Sequence, residues 1–288
     1  MKHCLSCLNN FESSSWLCPH CGNQPPEHHG FLTFTPELGC SEGFDPALYS
    51  KLAAIEARHF WFRARNELIA WSMQTYFPKA QNMLEIGCGT GFVLSGLREK
   101  FPHLALAGSE IFTEGLAFAA ERLRPMSLYQ IDARKIPFRD EFDVIGAFDV
   151  LEHIEEDEQV LLQMRQAVTE SRGGIMLTVP QHSFLWSQSD EMAHHVRRYS
   201  ARELRTKVEK AGFQVLCATS FVSLLFPLVV LSRCVLPKIR QEDPLAEFEI
   251  SRSINACFEK MMQLERVTIK AGVSYTYGSS LLMIARVR

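Results

Sequence analysis

The chain has 288 residues, 47% of them hydrophobic, enough to bury a large core in one or two domains. Its formal net charge of −3 leaves no general excess of Lys and Arg, which argues against a protein that lives on phosphate backbones. The N-terminus lacks the apolar core and small-residue cleavage site of a secretory signal, so the expected location is a reducing cytoplasm.

Four of the nine cysteines come first, as Cys4-x-x-Cys7 and Cys18-x-x-Cys21, with Pro19 and Gly22 shaping the second pair. Two such turns present two thiolates each at the angle a tetrahedral zinc requires, with Zn–S bonds of about 2.3 Å. A redox dithiol is the alternative, but redox pairs normally sit singly at a helix start. The pairs define a small zinc ribbon over residues 1–24, too short to hold together without metal, with His3 and His20 as spare donors. Cys40, Cys88, Cys217, Cys234 and Cys257 read as ordinary buried thiols.

Residues 25–46, rich in Pro, Gly and His without sustained periodicity, read as a linker or extended arm. Helical pattern resumes at Pro46. Apolar positions at Leu52, Ile55, Phe60, Phe62, Leu68, Ile69 and Trp71 fit one or two amphipathic helices before Pro78.

Strands then alternate with helices, near 82–87, 104–109, 127–131, 142–149, 174–179, 213–220 and 280–287. This alternation predicts an α/β fold over 47–288, a doubly wound, mainly parallel, seven-stranded sheet. Ser200-Ala-Arg-Glu203 is a capping box, which leaves 180–199 as a long loop of the kind that carries function. Residues 221–271 form a helical insertion or lid, and the dense Phe, Val and Leu run at 221–236 is shorter than the ~20 residues of a membrane span. Packing inside the protein and a surface for peripheral membrane or lipid contact are both open for that run.

The most specific stretch is Met83 to Gly91, an apolar strand ending in a turn with three glycines. Lacking Cβ atoms, Gly87, Gly89 and Gly91 can take positive φ and let a ligand approach the backbone. Phe92 stands where a dinucleotide fingerprint needs glycine, and no Gly-Lys-Ser/Thr follows to make a phosphate loop. Glu110 closes the next strand, at the register where a carboxylate can accept hydrogen bonds from ribose hydroxyls. Asp132 follows the third strand.

The pattern Glu85-x-Gly87-x-Gly89-x-Gly91 resembles motif I of the class I S-adenosylmethionine-dependent methyltransferases, and the stretch from Val179 to Phe213 resembles their small-molecule type, here with an added zinc ribbon. The resemblance implies a Rossmann-like domain and a cofactor site of Arg65, Glu85, Gly87, Cys88, Gly89, Gly91, Glu110, Ile111, Asp132, Ala133, Phe148 and Asp149. Arg65 would meet the cofactor's carboxylate and Asp132 its adenine. It also extends to His59-Phe-Trp-Phe-Arg63-Ala-Arg65, to Phe148-Asp-Val-Leu-Glu-His153 and to the loop carrying Gln181-His182 and His194-His195.

Methyl transfer from a sulfonium depends mainly on alignment in a dry pocket. A hydroxyl or carbon acid acceptor also needs a base, for which His153, His195 and His182 are the candidates in that order. The acceptor is expected to be a small molecule or lipid- or glycan-linked, with the ribbon available for protein contact. An RNA methyltransferase reading is opposed by residues 1–40, which hold one Lys, no Arg and three Glu. An inactive cofactor-binding scaffold is the other alternative.

Overall fold

The computed structural model describes residues 1–35, 48–235 and 248–288. Two short strands, β1 (Lys2–His3) and β2 (Asn10–Phe11), pair antiparallel in the cysteine-bearing N-terminal unit. It is fastened to the main body by Trp16, which packs edge-on against Phe34, Tyr129 and Phe138. The backbone N–H of His3 donates to Pro137 O at 2.9 Å.

The large sheet has nine strands rather than seven. All seven expected strands form: β5 (Asn82–Ile86), β6 (Ala105–Glu110), β7 (Ser127–Gln130), β8 (Val144–Phe148), β9 (Gly174–Pro180), β10 (Phe213–Phe221) and β11 (Ser280–Val287). The additional two come from the segment expected to be a linker, where β3 (Glu27–His28) and β4 (Phe31–Thr33) form a hairpin. β4 then adds parallel to the β7 edge, and Gln130 locks it by accepting from Thr35 N at 3.1 Å and donating to Thr35 O at 2.9 Å. Two-residue strands carry no alternation to read, which is why composition made this stretch look structureless. Residues 36–46 of the expected linker, with Cys40, lie outside the described residues.

Strand order is β10-β11-β9-β8-β5-β6-β7-β4-β3, antiparallel at β10, β11 and β3 and parallel elsewhere. From β5 the chain runs outward to β7, then returns to β8 on the other side, so the switch point lies between β5 and β8. Ligands of open α/β sheets sit beyond the carboxyl ends of strands at this point.

Helices cover both faces. α1 (Leu48–Ile55) and α2 (Phe60–Tyr76) precede the sheet, and α3 (Phe92–Lys100), α4 (Thr113–Leu123) and α5 (Asp157–Ala167) connect its parallel strands. The 180–199 segment is not a bare loop: it holds a 3₁₀ turn at Ser183–Leu185 and α6 (Gln188–Met192), capped by Ser187 and Asp190. α7 (Ala201–Lys210) starts where expected, with Glu203 N donating to Ser200 Oγ at 3.1 Å.

Over the described residues 221–235, β10 ends at Phe221 before α8 (Phe226–Val230) and a π turn from Leu231. Buried Glu265 on α9 (Arg252–Lys270) holds the intervening bend, accepting from Ser223 N at 2.6 Å and Leu224 N at 2.8 Å. α9 in turn caps α2, since Phe60 N donates to Asn255 Oδ1 at 2.8 Å. Among the described residues no helix is long and apolar enough to cross a membrane.

Candidate active site

The turn after β5 takes the conformation that only glycine adopts cheaply, with φ of +66° at Gly87, +51° at Gly89 and +74° at Gly91. Gly87 and Gly91 are needed for space as well. A Cβ would lie 2.5 Å from Val150 Cγ2 at Gly87 and 2.6 Å from Leu123 Cδ1 at Gly91. Gly89 faces open space, with the nearest atom, Tyr49 Cε1, 3.8 Å from a Cβ built there. The three glycines therefore divide the work: Gly87 and Gly91 let the turn pack, and Gly89 presents its backbone outward.

Glu110 ties this turn to the end of β6. Its carboxylate accepts from Gly89 N at 3.0 Å, Ile111 N at 2.7 Å and Phe112 N at 3.3 Å. Burial raises its pKa despite these three donors and the bond from Tyr49. Buried Glu85 keeps Oε2 without a partner, and burial pushes its pKa well up. Arg65 pairs with Asp149 and lies over Trp61, while Asp149 also accepts from Thr178 Oγ1 at 3.0 Å. Asp132 accepts from the Arg134 guanidinium and from Arg134 N at 2.9 Å.

α1 lies over the turn. Glu56 at its end accepts from Thr90 Oγ1 at 2.7 Å and from Arg122 at 3.1 Å, and all this is bound between β5, α1 and α4. Tyr49 packs against Gly115 and hydrogen-bonds Glu110. No spacing rule links Glu56, Thr90 and Arg122, so the sequence offered no signal for this clamp.

One cavity of about 1400 Å³ runs from the glycine turn to the far loop. Of the expected cofactor residues, Arg65, Glu85, Gly87, Cys88, Gly89, Glu110, Ile111, Asp132, Ala133, Phe148 and Asp149 line it. Gly91 does not; it caps α3 and packs on α4, so its role is in the turn. At the other end stand Glu152, His153, His195 and Arg198, roofed by Leu225, Leu228 and Val229.

The three histidines fare differently. His153 is held near the β8 end in a 3₁₀ turn, its ring 4.7 Å from that of His195, and burial lowers its pKa to about 3. It is neutral at pH 7 and weakly basic. His195 Nδ1 meets Asp190 Oδ1 at 2.9 Å, a contact made possible by α6. His182 does not line the cavity but stacks on Tyr277 at 5.6 Å between ring centroids. Glu152 and Asp190 were overlooked in the sequence, although Glu152 adjoins His153 and Ser187-x-x-Asp190 has capping-box spacing.

Cys4, Cys7, Cys18 and Cys21 converge, their sulfurs all within 4.8 Å of one another. Cys4 and Cys21 sulfurs lie 3.7 Å apart, as do those of Cys7 and Cys18. A tetrahedron with bonds of about 2.3 Å has edges of about 3.8 Å, so the four thiols are spaced as zinc ligands are. The two loops are matched: Leu8 N donates to Cys4 O at 2.8 Å and Gly22 N to Cys18 O at 2.9 Å. His3 is engaged with Asn10 instead. Cys88 is buried as expected, but Cys217 is half-buried, and Cys234 and Cys257 are exposed. None of residues 1–35 lines the cavity.

A family model described as a methyltransferase domain matches residues 53–218, more than half of the chain. The chain belongs to this methyltransferase family. Among curated proteins, the bifunctional biotin biosynthesis protein BioHC of Teredinibacter turnerae is 24% identical over 195 residues, or 62% of this methyltransferase and 33% of that protein. The methyltransferase thus spans about a third of that relative's length. Solved structures share its fold. They include the methyltransferase in complex with the Trm112 activator of Haloferax volcanii, with TM-score 0.53, 15% identity and coverage of 83% of this chain and 93% of that one. Haemonchus contortus phosphoethanolamine N-methyltransferase 2 has TM-score 0.52 at 18% identity, covering 77% of this chain and 52% of its own.

Proposed function

We propose that this methyltransferase uses S-adenosylmethionine as donor and methylates a small-molecule or lipid- or glycan-linked acceptor held at the Glu152, His153 and His195 end of the cavity. The observation that carries the reading is the single cavity that joins the glycine turn to this polar, apolar-roofed end. The donor-side residues fit the cofactor. Glu110, already an acceptor of three N–H groups, would hold the ribose, and the unpartnered Glu85 carboxylate oxygen suits the ammonium of the amino-acid end. The cofactor supplies an activated methyl group; the protein's part is to align it with the acceptor and keep water out.

Of the three histidines, His195, backed by Asp190, is best placed to accept an acceptor proton. We further propose that Cys4, Cys7, Cys18 and Cys21 hold one structural Zn²⁺. Division into a ribbon at 1–24, a segment at 25–46 whose β3–β4 hairpin extends the sheet, and a catalytic domain at 47–288 goes with this reading, and the described part of residues 221–271 acts as its lid. The exposed Leu228 and Leu231 of that lid offer a surface for an apolar acceptor chain or a membrane contact.

Calorimetric titration with S-adenosylmethionine and S-adenosylhomocysteine tests the donor: binding of at least one in the micromolar range is expected, and no heat for either overturns it. Acceptor classes are separated by methyl transfer from labelled donor to small-molecule, lipid and structured RNA pools, RNA binding being steeply salt-dependent.

A further inference from the structure

We propose that Glu152, His153 and His195 form a second metal site, for a divalent cation of the zinc or iron type, at the acceptor end of the cavity. One ligand atom from each of the three lies within 4.8 Å of the others. Two observations point to a missing partner. Both carboxylate oxygens of Glu152 are buried without any hydrogen bond, and so is Nδ1 of His153. A buried carboxylate with neither oxygen satisfied costs several kcal/mol in general, so such a group is normally paired or coordinating.

The two imidazoles are arranged as metal-bound histidines are, one nitrogen held and the other offered. His195 gives Nδ1 to Asp190 at 2.9 Å, which leaves Nε2 for the cavity. His153 keeps Nδ1 buried without a partner, while the backbone at Ala193 and His194 acts on its ring. Asp190 is itself fixed by Arg198 at 2.8 Å and by Ser187 N at 2.8 Å, so His195 is oriented by a rigid second layer. The loop carrying His195 is pinned to the turn carrying Glu152, with Val196 N donating to Glu152 O at 2.7 Å and Arg197 donating to Ile154 O at 2.9 Å.

Two imidazoles and one carboxylate suit zinc and non-haem iron rather than magnesium or calcium, and three protein ligands leave open positions. The site faces the cavity, so an acceptor oxygen can occupy one of them. This part rests on the proposed methyl transfer and narrows its acceptor to a hydroxyl. Coordination lowers the hydroxyl pKa, so its proton passes to bulk water as the acceptor binds, before water is excluded for the transfer. The oxygen pair then forms the new C–O bond, while the C–S pair stays on sulfur as a neutral thioether. Cation binding and proton acceptance compete for the same Nε2 of His195, so His195 serves as base only in protein without the cation.

The test uses the full chain, stripped with a chelator and titrated with Co²⁺, whose thiolate and nitrogen/oxygen complexes absorb differently. Two equivalents are expected for the wild type, one with thiolate absorption and one without. In Glu152→Gln and in His195→Gln the second equivalent should weaken by at least about 100-fold, since a direct ligand is lost where even an outer partner costs 10–100-fold. Co²⁺ should raise the melting temperature of a Cys4→Ser/Cys18→Ser background but not of that background with Glu152→Gln. A single thiolate-type equivalent in the wild type, or a second one unchanged in both variants, overturns the site. Cofactor calorimetry on the same samples separates the two readings: a second metal without any cofactor binding refutes the donor and leaves the site standing.

Discussion

Replacing Glu110 by Gln probes the donor site at its most connected residue. The carboxylate accepts from Gly89 on one oxygen and from Ile111 and Phe112 on the other, at 3.0, 2.7 and 3.3 Å. An amide keeps one acceptor oxygen. If that oxygen stays with Ile111 and Phe112, the amide NH₂ meets the Gly89 N–H, donor against donor, and the same NH₂ is a poor acceptor for a ribose hydroxyl. Hydrogen bonds to charged groups are worth about 1.5–3 kcal/mol each, so the loss of one such bond to the ligand is expected to cost about 2–3 kcal/mol of cofactor affinity. That corresponds to roughly 30- to 150-fold in Kd for S-adenosylhomocysteine. Calorimetry reads the affinity and differential scanning calorimetry reports the accompanying loss of stability. Exposed Glu114 on α4 supplies the control, because Glu114→Gln removes a nearby carboxylate charge at an exposed helix position. A Glu110→Gln protein that binds within threefold of wild type would refute the ribose assignment.

Gly91→Ala should destabilise by about 2–4 kcal/mol in urea unfolding, combining left-handed strain with the 2.6 Å contact to Leu123. Gly22→Ala, at φ +73° with nothing within 4 Å, should cost only the backbone part of about 1–2 kcal/mol, so equal losses would contradict the packing argument. Leu8 occupies in the first cysteine loop the position of Gly22 in the second, at φ +62°, and its side chain is 69% exposed. Leu8→Gly should therefore slow metal release to a chelator by relieving about 1 kcal/mol of strain, and faster release would count against it. Burial raises Glu152 well above 4.5 in the folded protein, so metal-free folded protein binds that proton more tightly than the unfolded chain. From this group stability rises as pH falls through the raised pKa toward 4.5. Glu152→Gln in chelator should flatten that rise and raise the melting temperature at neutral pH; an unchanged pH profile would show that Glu152 is not a buried, unpaired carboxylate.

Much of the donor half was legible. The positions of seven strands followed from short apolar runs buried on both faces, and the glycine spacing followed from backbone sterics that act over a few residues. The acceptor half was legible only in fragments. His153 and His195 were singled out because histidines are visible anywhere, whereas Glu152 looked like one more carboxylate among 33 acidic residues. The Glu56, Thr90 and Arg122 clamp had no sequence signature, because its members come from three elements that meet only after the sheet forms.

By itself, the sequence determined what depends on near neighbours: the matched cysteine loops, the positive-φ glycine turn, the cap of α7, and the order of strands and helices along the chain. Only the tertiary structure decided which polar groups share a cavity and which are left without partners. It turned His182 onto Tyr277, moved Gly91 into the packing, and set His195 beside Glu152 and His153. The physical reason is that a buried polar atom is defined by everything packed around it, and for Glu152 those surroundings arrive from a loop pinned through Val196 and Arg197.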